Sequence, residues 1–252
     1  MMRRVFHFLV IFVILFSGCT GFRKKYSVAI DPTFYPANMG GQASNVYGFM
    51  VDLLEEIGKS EGVLLTYKQV GSESVLNGLE RKAYDGVLTP KSNVMIEKNI
   101  YSISNPIMLT GPVLVTGTDS KVKDILQLQG KIVGVVDQSD ALLLIQKYAK
   151  VFIFTYPSAA YLMEALNYNI VDGALLDSLE ARAFVNNIYA GSLKIVTKPL
   201  NNEGIYLATM AGKNPLLLDL FNTGLKRMQK RGIYQKLLKK WGLSFDLVKE
   251  SP

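Results

Sequence analysis

The stretch Leu166–Asp177, LNYNIVDGALLD, has a near twin earlier in the chain, Leu79–Thr89, LERKAYDGVLT. In each, a Leu able to close a helix is followed six residues on by Asp-Gly, then by a short aliphatic run. A helix, a tight turn and a buried strand produce that pattern. Buried parallel strands read as unbroken apolar runs, and in open α/β sheets the ligand crevice lies beyond their carboxyl ends. The first run ends in Thr89 and the second in Asp177. A carboxylate at the end of a buried strand is costly unless paired, so Asp177 points to a ligand ammonium or a cationic neighbour. The expectation is an α/β chain whose two similar lobes face one another across a cleft.

The bulk numbers allow this. With 252 residues, 49% hydrophobic and 19% charged, the chain has material for one large core or two smaller ones. Removing Arg3 and Arg4, which sit in the leader, lowers the net charge from +7 to +5. What remains is spread thinly. The densest basic cluster, Lys226–Lys240, interleaves with Leu, Ile and Tyr as the solvated face of an amphipathic C-terminal helix would. No motif supports nucleic-acid binding. A single Cys excludes an intramolecular disulfide, so the compartment has to be read from the N-terminus.

Met1–Cys19 reads MMRRVFHFLVIFVILFSGC. Arg3 and Arg4 make a basic start, Val5–Phe16 is apolar apart from His7, and Ser17-Gly18 are small. The apolar run is shorter than the ~20 residues of a spanning helix. It resembles a bacterial lipoprotein signal, with Phe16 where the usual motif has Leu. The resemblance implies a signal peptide over 1–18, acylation of Cys19, and a tether over 19–25. The protein would then be anchored in the cell envelope, facing the periplasm or exterior. His7 is the only His and falls in the leader. A histidine catalyst, a zinc site or a haem is therefore not expected in the mature chain, nor any other cofactor.

Tyr26–Ile30 alternates like a first strand, and an Asp-Pro-Thr-Phe-Tyr-Pro loop follows at its carboxyl end. Asn38–Asn45 is rich in Gly and reads as a loop. Tyr47 to about Glu61 reads as a helix with Leu53, Leu54 and Ile57 on one face. Val63–Val70 is a second strand, Glu73–Arg81 a helix and Gly86–Thr89 a third strand. Here the chain resembles the family 3 bacterial solute-binding proteins, the amino-acid receptors of ABC importers. The opening D-x-x-[YF]-x-P loop is matched by Asp31, Phe34 and Pro36, and G-F-x-[VI]-D-L by Gly48–Leu53. Leu79 with Asp85, Ser104-Asn105-Pro106 and Leu128–Val135 match further pieces, as does Asp172–Asp177. The closing pattern falls on Asn222, Leu225, Gly232, Tyr234, Lys240, Trp241 and Gly242.

The resemblance implies a bilobed type II periplasmic-binding fold, two α/β lobes joined by a two-strand hinge. Lobe 1 would span 26–109 and 205–252, and lobe 2 would span 110–204. The hinge strands would lie near Met108–Val115 and Glu203–Thr209, where Gly111-Pro112 and Glu203-Gly204 also read as punctuation on their own. In the family an aromatic after the first strand stacks on the ligand, and Phe34 holds that place beside Asp31. The partner aromatic falls on Ser72. Groups after the third strand that take the ligand ammonium fall on Thr89, Pro90 and Ser92. The family's T-x-x-R, whose Arg forks onto the ligand carboxylate, is replaced by Val94 and Glu97, with Lys91 and Lys98 nearby. Ser139 stands at the start of a helix expected over Asp140–Tyr148, where it would cap the helix or border a carboxylate site. Asp177 matches the ammonium-binding Asp. With Asp31, Glu97 and Asp177 the cleft is acidic, which favours cationic ligands.

The implied function is a lipid-anchored, monomeric receptor without catalytic activity, serving an ABC permease and its ATPase. Its ligand would be an amino acid or a related amine-bearing small molecule. Two readings stay open beside it. One is an enzyme on the same fold, of the cyclohexadienyl or arogenate dehydratase kind, using a Glu97–Asp177 pair. The other is a sensor or adhesion module that has lost its ligand.

Overall fold

The computed structural model describes residues 23–30, 42–90, 99–148 and 150–243. The chain starts a first sheet with β1 (Lys25–Ile30), α1 (Gln42–Glu61), β2 (Leu64–Gln69), α2 (Ser72–Glu80) and β3 (Gly86–Pro90). Two short strands follow, β4 (Tyr101–Ile103) and β5 (Met108–Leu109). It then crosses into a second sheet through β6 (Pro112–Gly117), β7 (Ile132–Val136), α3 (Asp140–Ile145) and β8 (Phe152–Tyr156). α4 (Ala159–Asn167), β9 (Gly173–Asp177), α5 (Ser178–Ala183) and β10 (Leu193–Ile195) complete that sheet. The return strand β11 (Gly204–Met210) rejoins the first sheet, and α6 (Pro215–Lys230) and α7 (Ile233–Lys240) close the described chain.

The two sheets repeat one plan. The first runs β2-β1-β3-β11-β4, with β5 also paired to β11; the second runs β8-β7-β9-β6-β10. In each, the first three strands are parallel and the fourth is antiparallel to its neighbour. Val28, Ala29 and Ile30 are all fully buried, as are Val87 and Leu88, because helices cover both faces of the first sheet. α1, α6 and α7 pack on one face, through Phe49, Met50, Leu53, Leu54 and Ile57 among others, and α2 packs on the other. In the second sheet α4 covers one face and α3 the other.

The repeated Asp-Gly segments do the same work in both sheets. Lys82 (φ 61) and Asn169 (φ 58) take left-handed backbone just after α2 and α4. The next residues donate back into the helix, Ala83 to Gly78 at 2.9 Å and Ile170 to Ala165 at 2.9 Å, a Schellman closure in each case. Asp85 then bridges to β1. Its N–H donates to the Ser27 carbonyl at 2.8 Å and its carboxylate accepts from the Ser27 N–H at 2.8 Å. Asp172 does the same with Ile132 at 2.8 and 2.9 Å, and also accepts from Lys131 at 3.1 Å. Each Asp thus closes the opening end of a parallel strand pair.

Three of the expected helices differ from the sequence reading by more than a single residue at one end. α1 begins at Gln42, so part of the Gly-rich stretch is helical. α3 ends at Ile145, short of Tyr148. The expected single C-terminal helix is two, because Gly232 (φ 70) breaks it between α6 and α7.

Candidate ligand-binding cleft

The carboxyl ends of the parallel strands meet the crossing between lobes, and strand register shows why. β6 and β11 start where the chain crosses, and both are antiparallel to the strands beside them. Pro112, first residue of β6, faces Asp177, last residue of β9. Ile205, second residue of β11, faces Pro90, last residue of β3. Between them the two crossing segments hold one another, Thr110 and Gly111 both donating to the Glu203 carbonyl at 2.9 and 3.2 Å. A side chain at Gly111 would overlap the Asn201 amide oxygen, which instead accepts from the Glu203 N–H at 2.9 Å. The seam therefore has Thr89-Pro90 on one side and Asp177 on the other.

Asp177 caps α5, its carboxylate accepting from the Leu179 N–H at 2.8 Å. Burial pushes this carboxyl up to about 7; the Leu179 and Glu180 N–H groups counter the rise, while the nearby Glu180 and Asp140 carboxylates add to it. Burial also raises the Glu180 carboxyl. Three acids from α3, β9 and α5 thus share the end of the second sheet. Ser139 is occupied locally: its hydroxyl donates to the Val136 carbonyl at 2.6 Å and accepts from Leu142 at 3.3 Å, capping α3.

α5 carries this chemistry into the other lobe. The Ser178 N–H donates to the Thr110 carbonyl at 3.1 Å on the crossing itself, and its hydroxyl donates to the Leu109 carbonyl at 3.4 Å. Leu179 packs in the first lobe's core with Ile107, Met108, Ile205 and Leu243. Arg182, only 5% exposed, donates to the Leu243 carbonyl. Burial lowers the Arg182 guanidinium to about 10, against the favourable pull of Tyr234 and Asp177. Tyr234 donates to the Ile107 carbonyl at 2.7 Å, and burial lifts its phenol to about 12.

Thr89 is fully buried and Pro90 half-buried at the end of β3; Ser139 and Asp177 stand across the seam on the second sheet. Asp31, Phe34, Ser92, Glu97, Lys91, Lys98 and Cys19 lie outside the described residues. Among the described residues no group of three or more His, Cys, Asp or Glu is arranged to hold a metal ion, and no helix is long and apolar enough to cross a membrane. The sequence reading missed Asp140, Glu180 and Arg182. Glu180 was signalled by its place three residues after a helix-capping Asp; Arg182, set between two Ala, gave no sign of its long reach.

The family profile of bacterial extracellular solute-binding proteins, family 3, matches residues 26–244. An L-cystine-binding protein of Escherichia coli is 26% identical over 222 residues, covering 87% of this chain and 83% of its own. An arginine-binding periplasmic protein of Mannheimia haemolytica is 23% identical over 234 residues, covering 90% and 95%. The unliganded, open L-cystine solute receptor of Neisseria gonorrhoeae superposes with a TM-score of 0.71 at 20% identity, covering 87% of this chain and 92% of its own. With its paired 2-1-3 sheets, double crossing and a profile match over nearly all of the described chain, this protein belongs to the bacterial extracellular solute-binding proteins, family 3.

Proposed function

We propose that this chain is the lipid-anchored receptor of an ABC importer, and that it captures an amino acid or a related amine-bearing molecule between its lobes and delivers it to a permease. The observation that carries this reading is Asp177, a half-buried carboxylate at the seam, backed by Asp140 and Glu180. Such a group is costly alone and is satisfied by a ligand ammonium. The names of the relatives, cystine- and arginine-binding proteins, support the ligand class. Lobe 1 is 26–109 with 205–252, lobe 2 is 110–204, and closure about the crossing at 110–111 and 203 buries the ligand. Catalysis forms no part of this role. Replacement of the family's carboxylate-gripping Arg by Glu97 ranks ligands by positive charge ahead of an α-carboxylate.

Calorimetry tests the ligand, with arginine, lysine, histidine, cystine and the decarboxylated analogues of each. The best binder should be cationic, and X-ray scattering should show a smaller radius of gyration when it is saturating. A zwitterion bound far more tightly than its amine would remove the charge ranking, and no binder at all would favour the ligand-less module. The anchor is tested separately: Cys19→Ser should leave unprocessed precursor, and the native protein should partition into detergent.

A further inference from the structure

β8 is an unguarded sheet edge. Natural edges are blunted by charge, proline, bulges or shortness. The first sheet's edges follow the rule, since β2 carries Lys68 and β4 has three residues. At the far side of the second sheet β10 carries Lys194. β8 reads Phe-Ile-Phe-Thr-Tyr, in unbroken register along β7, and no charged residue occurs between Lys150 and Glu164. Phe152 is 61% exposed and Phe154 is 47% exposed, both on the face that α4 covers. Tyr161, Tyr168 and Ile170, on and just after α4, are exposed as well.

The outward backbone groups can be assigned. Phe152 donates to Lys131 at 2.9 Å and Tyr156 accepts from Asp137 at 2.9 Å, so the even-numbered residues bond inward to β7. Ile153 and Thr155 therefore turn their N–H and C=O groups outward. Among the described residues nothing pairs with that side.

We propose that two copies of this chain pair edge to edge through β8, antiparallel about a two-fold axis at Phe154. Only that centre overlaps the whole of both five-residue strands. It also sets the outward-facing Ile153 opposite Thr155 of the partner subunit as hydrogen-bonded pairs. The two Phe154 side chains meet at the closer, non-hydrogen-bonded position, and Phe152 packs against Tyr156 of the partner subunit. Charge permits it: the two copies of Lys150 fall eight positions apart, roughly 26 Å at 3.3 Å per residue, well beyond the ~8 Å screening length. An aromatic side chain covers about 150–250 Å². The exposed parts of Phe152, Phe154 and Tyr161 in two copies then offer roughly 700 Å², and the strand backbones bring the total to about 1,000 Å². That lies just under the ~1,200 Å² of a stable complex, so the dimer is weak and concentration-dependent.

Sedimentation of the full chain in mild detergent tests this over a range from about 1 µM to several hundred µM. The mass should rise from monomer toward dimer, and added salt should not reverse it. Phe154→Lys should stay monomeric throughout, while Tyr67→Lys, on the exposed edge β2, should behave as the native chain does. A second readout does not depend on Phe154→Lys folding. In a Cys19→Ser background, Phe154→Cys should give a covalent dimer on mild oxidation. A monomer at every concentration overturns the proposal, as does a dimer that survives Phe154→Lys or fails to cross-link at position 154.

Discussion

Asp177 and Arg182 stand at the two ends of one short helix, and the helix joins the lobes. Asp177 holds the N-terminus of α5 at the seam, while Arg182 donates to the Leu243 carbonyl in the first lobe. Leu179, between them, is buried in the first lobe's core. The side chain proposed to hold the ligand is therefore rigidly tied to the contact that sets one lobe against the other.

Arg182→Met should cost about 2 kcal/mol of stability, because a buried carbonyl loses its charged donor while most of the packing stays. Chemical denaturation measures it. Scattering of the ligand-free variant should show a broader range of lobe separations than in the native protein. An unchanged midpoint and an unchanged scattering profile would mean that the Leu243 contact holds nothing.

Asp177 should make the protein less stable as pH rises. Its folded carboxyl titrates at about 7, above the ordinary 3.8, so folding takes up a proton between those values. The penalty is absent below about pH 4 and complete above pH 7. Its ceiling is about 4 kcal/mol, and about half that for a carboxyl partly open to water. Asp177→Asn keeps an oxygen for the Leu179 N–H and removes the charge. It should melt higher than the native protein at pH 8 and level with it near pH 4, while losing ligand affinity roughly 30-fold or more. Equal melting points at pH 8 would show that the carboxylate is already paired in the empty protein.

The same carboxyl should make binding of a cationic ligand proton-linked. Burial, helped by the like charges of Glu180 and Asp140 and resisted by the Arg182 charge, makes the empty site hold a proton below pH 7. A ligand ammonium must displace that proton. Affinity should fall up to tenfold for each pH unit below about 7 and level off above it. Calorimetry at pH 6 in buffers of different ionisation heat should report close to one proton released per ligand. Affinity that stays flat from pH 5.5 to 8 would place the ammonium elsewhere.

Much of the fold was legible because the chain states it twice. Leu79 with Asp85 and Leu166 with Asp172 mark a helix stop, a turn and a parallel strand, and both lobes use them alike. The motifs were legible as separate pieces, yet in the structure distant ones touch: Asn222 accepts from the Asn105 N–H at 2.7 Å, and Asp52, near the start, accepts from Lys240, near the end, at 2.6 Å. The site was less legible. Asp177 was visible because a carboxylate ending an apolar run is anomalous in one dimension. Asp140 and Arg182 were not, since their partners are far away in sequence. Ser139 satisfies its hydroxyl within its own turn, a role that local pattern cannot separate from ligand binding.

The contact between chain ends gives the last prediction. Gly48 and Asp52 lie one turn apart on α1, facing Trp241. The indole N–H donates to Asp52 at 2.8 Å, and a Cβ at Gly48 would overlap three carbons of the ring. Ala is the better helix former by ~1 kcal/mol. Gly48→Ala should nevertheless destabilise by about 1–3 kcal/mol, because the ring is held by its hydrogen bond and cannot withdraw. Trp241→Phe removes that bond and shortens the side chain, costing about 2 kcal/mol alone. In the double variant the smaller ring leaves room for the new methyl group. The combined loss should therefore fall short of the sum of the two by at least about 1 kcal/mol. Denaturant titration of all four proteins measures this coupling. Strict additivity would mean that Gly48 is not kept small by Trp241.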